Sequence, residues 1–220
     1  MDAIKVCDLF DLTHTRAAKM LAACEYPWEA LSKIGETVLA IGRGLDLSDY
    51  EHPAEDVWIA KTATVAATAS IAGPCVIGEK TEVRPGAFIR GNVLVGDGAV
   101  VGNSCELKNC ILFDEVQTPH YNYVGDSVLG YKAHMGAGAV TSNVKGDKKN
   151  VVVHGERDYE TGRKKFGAML GDFAEIGCNS VLNPGTIIGR DSQVYPLSSV
   201  RGVVKARHIV KGARGAFAKD

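Results

Sequence analysis

The chain has no Cys-x-x-Cys pair, no apolar run of membrane-spanning length and no excess of either charge. Its net charge of −1 leaves no long-range field to gather nucleic acid or an anionic membrane, so an anionic ligand has to be held by local groups of Lys and Arg. Neither nucleic acid nor membrane is expected as a partner. The start, Met1-Asp2-Ala3-Ile4-Lys5-Val6, lacks the basic region and long apolar run of an export leader, and a cytoplasmic location is the expectation. The six cysteines (7, 24, 75, 105, 110, 178) are accordingly read as reduced thiols.

Residues 1–47 differ in pattern from the rest of the chain and read as a helical cap. Thr13 or Thr15 caps a helix through Ala17–Ala23, which breaks near Glu25-Tyr26-Pro27. A second helix is expected from Pro27, with Leu31, Ile34, Val38, Leu39 and Ile41 on one face and Gly42 and Gly44 as terminators. An acidic connector, 48–56, comes next.

From residue 59 a bulky apolar residue recurs at every sixth position: Ile59, Val65, Ile71, Ile77, Val83, Ile89, Val95, Val101, Leu107, Phe113. Two positions earlier the residue is usually small, as at Ala63, Ala69, Cys75 and Ala87. The register resumes at Tyr123, Leu129 and Met135, breaks over 142–168, and returns from Leu170 to Val200. Neither helix nor ordinary strand has this period. It fits a parallel β-helix, an all-β fold in which each hexad forms one side of a coil. The repeat is expected over 57–204, with an insertion at 145–167 and a C-terminal tail at 205–220; the helical segment is expected to cover one open end. The stretch 117–126 interrupts the rhythm and is expected to be a loop or bulge thrown out from the scaffold, carrying His120 after Pro119. Within the insertion, Val151-Val152-Val153 and Arg163-Lys164-Lys165-Phe166 flank Glu160-Thr161-Gly162, which suggests a projecting β-hairpin.

The runs Val83-Arg84-Pro85-Gly86-Ala87, Val101-Gly102-Asn103-Ser104-Cys105-Glu106-Leu107-Lys108, His120-Tyr121-Asn122-Tyr123-Val124-Gly125-Asp126 and Gly136-Ala137-Gly138-Ala139-Val140-Thr141-Ser142-Asn143 occur in that order. This order resembles the hexapeptide-repeat acetyltransferase domain of bifunctional N-acetylglucosamine-1-phosphate uridyltransferase/glucosamine-1-phosphate acetyltransferase, including archaeal-type sugar-nucleotidyltransferase relatives. The resemblance implies a left-handed β-helix, a homotrimer with sites between subunits, and acetyl transfer from acetyl-CoA, as co-substrate, to glucosamine 1-phosphate for amino-sugar nucleotide (UDP-N-acetylglucosamine) biosynthesis. It implies His120 as general base, Arg84 and Lys108 on the sugar phosphate, Tyr123 and Asn143 on the sugar, and Ala137, Cys178 and Pro196 on acetyl-CoA.

The chemistry of these residue types agrees. An amino sugar is mostly an ammonium at neutral pH, and histidine is the side chain suited to taking its proton. Gly-rich turns such as 136–138 can present N–H groups to a tetrahedral oxyanion. His134 and Val144 stand where the family has an asparagine and a tyrosine, so the sugar identity stays open, as does a catalytically inactive β-helix assembly or regulatory module. The Lys pairs at 148–149 and 164–165, and Lys205, Arg207, Lys211 and Arg214, are candidate phosphate contacts or plain solvated charges. Residues 1–47 hold no Gly-rich phosphate loop, so uridyl transfer is not expected. A zinc-dependent β-helix carbonic anhydrase needs three converging histidines, two of them closely spaced, and histidines 14, 52, 120, 134, 154 and 208 offer no such pair; no metal is expected.

Overall fold

On each side of the coil one apolar side chain points inward and stacks on its counterpart a turn away. In the computed structural model, which describes residues 3–212 and 215–219, short parallel strands stack into three faces. On face I Val65 pairs with Val83 and Val83 with Val101. On face II Ile71 pairs with Ile89 and Ile89 with Leu107, and on face III Ile59, Ile77 and Val95 form the same ladder. Partners are 18 residues apart, three hexads to a coil. Ile77, Val83, Ile89, Val95, Val101 and Leu107 are all buried, and each such side chain contributes about 1.5–3 kcal/mol. This is the hexapeptide β-helix expected from the repeat.

The stretch 117–126 is not a loop thrown out of the scaffold. Gln117–His120 is a strand of face I, with Thr118 opposite Val101. What looks like an interruption is two short corners. Leu107 is opposite Ile89, yet Leu112, not Phe113, is opposite Val95, so the inward step there is five residues rather than six. The same happens between Val124, opposite Leu107, and Leu129, opposite Leu112. Each short corner turns on a residue in the left-handed region, Asn109 (φ 49°) and Asp126 (φ 48°), and asparagine and aspartate tolerate that conformation best after glycine. Two expected core positions shift in consequence. Phe113 packs against Phe10 of the N-terminal segment, with ring centroids 5.1 Å apart. Val124 takes the buried inward place, and Tyr123 is left half-buried on the outside.

The N-terminal segment covers a side of the prism rather than an end. It comprises α1 (Val6–Leu9), a turn at Leu12–His14, α2 (Ala18–Ala22), a 3₁₀ turn at Pro27–Ser32 and α3 (Ile34–Arg43). The expected long helices are interrupted because the segment follows the scaffold. Asp114 N–H donates to His14 O (3.1 Å), Asp172 N–H to Leu9 O (3.0 Å) and Arg16 Nη1 to Asp97 Oδ1 (2.7 Å), three rungs along the corner between faces III and I. From there α3 lies across face III. Its Gly42 rests on the Trp58 ring at a distance that leaves no room for a Cβ. Face III strands are therefore buried on both sides, as parallel sheets require.

The insertion contains the expected hairpin, formed by Val152–His154 and Asp158–Glu160. Its turn falls at 155–157 rather than at Glu160-Thr161-Gly162, because Val151 and Val153 bury themselves against the coil. Tyr159 approaches Tyr26 and Trp28 (5.8 and 6.3 Å), so the hairpin lies back on the N-terminal segment. The connector contributes Tyr50–Ala54, antiparallel to Val57–Ala60. At the other end the stack runs beyond residue 204: Val210 pairs with Val194, and Ala216–Ala218 folds back antiparallel. No helix is long and apolar enough to cross a membrane among the described residues.

Asp172, fully buried, joins these parts. Its carboxylate accepts from Asp11 N–H (2.7 Å) and Tyr131 N–H (2.8 Å) and pairs with Arg190. Asp172→Ala is expected to lower unfolding stability by about 2–4 kcal/mol, since it strands two N–H groups and a partly exposed guanidinium. Lys132→Ala, which opens the exposed 3.3 Å pair with Glu115 and a contact of the ammonium with the Tyr131 ring (5.0 Å), is expected to cost about 0–1 kcal/mol. Equal urea midpoints for the two variants would contradict this assignment.

Candidate functional site

The corner between faces I and II builds the first part of the site. Its turns stack rung on rung, and in each turn the same position is occupied in order by Pro85, Asn103, His120, Ala137, Cys178 and Pro196. Asn103 Nδ2 donates to Pro85 O (2.9 Å), and Asn103 is opposite His120. Gly138 N–H donates to His120 O (3.0 Å), Asn179 N–H to Ala137 O (2.8 Å) and Leu197 N–H to Cys178 O (2.9 Å). His120 and the three residues expected beside acetyl-CoA thus form one column. The residue after each is left-handed, from Ser104 (φ 53°) and Tyr121 (φ 53°) to Asn179 (φ 53°) and Leu197 (φ 59°), which turns the chain sharply and exposes the column.

Buried Asn122 holds the His120 turn. Its Oδ1 accepts from His120 N–H (3.2 Å), and its Nδ2 donates to Gly136 O (2.8 Å) and Ala139 O (3.0 Å). The imidazole itself is exposed, with no hydrogen bond to a described residue. In the next turn Gly136 N–H donates to Ile176 O (2.7 Å), while the N–H of Ala137 meets no acceptor among the described residues. That leaves one backbone donor on the column beside His120, available to a developing oxyanion.

The second part lies at the corner of faces II and III, where the two short turns fall. Lys108 is opposite Gly125, over which the Tyr123 ring folds. Asn143 Nδ2 donates to Tyr123 Oη (3.1 Å) and Asp126 Oδ2 (2.6 Å), and Asn109 Nδ2 donates to Asp126 Oδ1 (2.9 Å). Burial, then the charges of Asp126 and Glu106, push the Tyr123 phenol up and keep it a neutral donor. Arg163, from the insertion, also faces Asp126. Its Nε is shut off from water without a partner, and burial draws its pKa down.

The structure therefore brings Lys108, Tyr123 and Asn143 together on one corner, and His120, Ala137, Cys178 and Pro196 on another. Arg84 lies two rungs before His120, half-buried, with Nη2 3.0 Å from Glu82 Oε2. Asp126, Asn109 and Arg163 are additions that no repeat position signals; only the left-handed preference of Asn and Asp marks the first two in the sequence. Of the outlying cations, Lys205 reaches Glu156 (3.5 Å), Lys148, Lys149, Lys164 and Lys165 are exposed, and Arg214 lies outside the described residues. No group of three or more His, Cys, Asp or Glu side chains that could hold a metal is found among the described residues.

A family profile described as the GMPPB C-terminal domain matches residues 71–157. The bifunctional protein GlmU of Methanococcus maripaludis is 36% identical over 110 residues, 50% of this chain and 27% of that protein. The bifunctional protein GlmU of Methanococcus aeolicus is 29% identical over 173 residues, 70% of this chain and 42% of that protein. The chain resembles the bifunctional GlmU proteins. It spans less than half the length of these curated relatives. Among solved structures, perosamine N-acetyltransferase from Caulobacter crescentus, in complex with CoA and GDP-perosamine, is similar at 18% identity and a TM-score of 0.40, covering 74% of this chain and 56% of that one.

Asn122→Ala is expected to cost about 1–3 kcal/mol of stability, because the carbonyls of Gly136 and Ala139 lose their donor inside the coil. Thermal unfolding of that variant beside Asn103→Ala, whose amide is nearer solvent, tests this. An unchanged midpoint for Asn122→Ala would remove it as the pin of the His120 turn.

Proposed function

We infer that the chain is an acetyl-CoA-dependent N-acetyltransferase acting on an amino-sugar phosphate, with glucosamine 1-phosphate the first candidate. The observation that carries this reading is the column in which exposed His120 is followed, one turn on, by the unengaged N–H of Ala137. In such an arrangement His120 takes a proton from the sugar ammonium. The freed amine attacks the thioester carbonyl, and the Ala137 N–H receives the oxyanion. Arg84 and Lys108 meet the sugar phosphate, and Tyr123 and Asn143 the ring hydroxyls. Cys178 and Pro196 continue the column along acetyl-CoA.

The two corners lie at opposite edges of face II, and within one chain the His120 imidazole has no hydrogen bond to a described residue. An arrangement with sites between subunits of a homotrimer would let the His120 corner of one chain face the Lys108–Asn143 corner of the next. Exposed apolar side chains support contact there: Tyr121 (64% exposed), Tyr195 (44%) and Leu197 (79%) lie along the His120 corner, and Phe88 (45%) on face II.

Thiol release from acetyl-CoA with a panel of amino-sugar 1-phosphates tests the reading; no release with any of them favours an assembly module. His120→Ala is expected to leave the assembly folded and to lower turnover by roughly 10²–10⁴-fold. Wild-type turnover by that variant would exclude His120 from the reaction. Arg84→Ala is expected to raise KM for the sugar phosphate more than for acetyl-CoA, and the reverse order would assign it to the coenzyme.

A further inference from the structure

Face I carries a second ordered histidine that the proposed reaction leaves unused. His134 and Glu175 are directly opposite on neighbouring strands, with Nδ1 and Oε2 2.7 Å apart. An ionised carboxylate only accepts, so Nδ1 donates to it throughout, and Nε2 is the nitrogen at which the ring takes up and gives out its second proton. The pair borders a hollow of about 450 Å³ shared with Gly136, Cys178 and Pro196, the residues beside or on the His120 column. On the other flank Lys132 is engaged by Glu115 (3.3 Å), so no cation competes for Glu175 there.

The register fixes how far the two histidines stand apart. His134 is opposite Gln117, and His120 ends the same strand three residues on. At about 3.3 Å per residue and 4.8 Å between strands, their backbones are about 11 Å apart. That separation leaves room for a reacting centre between the two rings. It suits two rings flanking a tetrahedral adduct, one at the amine nitrogen and one at the sulfur, each within about 3 Å of its atom.

We propose that His134, oriented by Glu175, is the general acid that protonates the departing thiol. This rests on the acyl-transfer reading above. His120 removes one proton from the ammonium and passes it to solvent. The nitrogen–carbon bond then forms. As the carbon–sulfur bond breaks, the CoA thiolate takes the proton from Nε2 of His134, and the ring regains one from solvent as the amide nitrogen sheds its second proton. The sum is ammonium plus thioester giving amide, thiol and one released proton.

The test compares two acyl donors, acetyl-CoA and the acetyl thioester of para-nitrothiophenol, whose thiolate leaves without protonation. His134→Asn is expected to slow turnover with acetyl-CoA by roughly 10²-fold and with the aryl thioester by less than about tenfold. Glu175→Gln is expected to show the same selectivity at smaller size, and His120→Ala to slow both donors alike. Equal losses with both donors, or no loss, for a folded His134→Asn protein would overturn the proposal. A wild-type protein that turns over neither thioester would remove the acyl-transfer reading itself, and the role of His134 with it.

Discussion

A coil of hexads closes only if its inward side chains stack, and here that requirement decides where the chain can afford to lose a residue. The ladders on faces I, II and III stay in register through both short corners, because each five-residue step is taken up by one left-handed residue, Asn109 or Asp126. Thr118 and Thr141 then occupy inward places and turn their hydroxyls to carbonyls of neighbouring turns, Val100 O (3.1 Å) and Tyr123 O (3.3 Å). The polar corner is a direct result. Asp126 is there to make the turn, its carboxylate gathers Asn109 and Asn143, and Asn143 holds the phenol of Tyr123. Packing and site are one construction at this point.

The same stacking leaves three outer faces to be covered, and the described residues cover only one of them. Face III takes α3, and the hairpin leans on the N-terminal segment beside it. Burying parallel strands on both sides is what makes that face stable. The outer sides of faces I and II keep exposed polar and aromatic groups. The corner between them is where His120 stands. An uncovered face next to an unpartnered imidazole is what a site completed by a neighbouring chain needs.

The period of six was legible in the sequence, and with it the β-helix and the inward identity of most of its core. What could not be read was the length of individual corners. Phe113 and Tyr123 satisfy a count of six as well as Leu112 and Val124 satisfy the actual steps of five, and both alternatives are apolar or aromatic. Only pairing between distant strands separates them. The placement of the N-terminal helices was hidden for a similar reason: an amphipathic face shows that something is covered, not which surface, and the deciding contacts, Asp172 with Asp11 and Arg16 with Asp97, join residues far apart in sequence. His120, Ala137, Cys178 and Pro196 were picked out through the resemblance of their motifs, and the structure adds that they stack in one column, each at the same place in its turn. The Asp126–Arg163 neighbourhood was not, since the insertion that supplies Arg163 has no period.

Where the positive charges are already matched bears on which of them can receive an anion. Arg84 is held by Glu82 and Arg90 by Glu106 (2.6 Å), pairs that are partly exposed and worth about 0–1 kcal/mol each, so a phosphate offering two oxygens can open them at little cost. Lys108 has no ion pair among the described residues, and Arg163 has a shielded Nε that water does not reach. Asp126, whose two oxygens already accept from Asn109 and Asn143, makes no hydrogen bond to Arg163. A buried donor without an acceptor costs about 1–3 kcal/mol. That cost falls on the Lys108 corner, where the burial of Val151 and Val153 against the coil has to offset it.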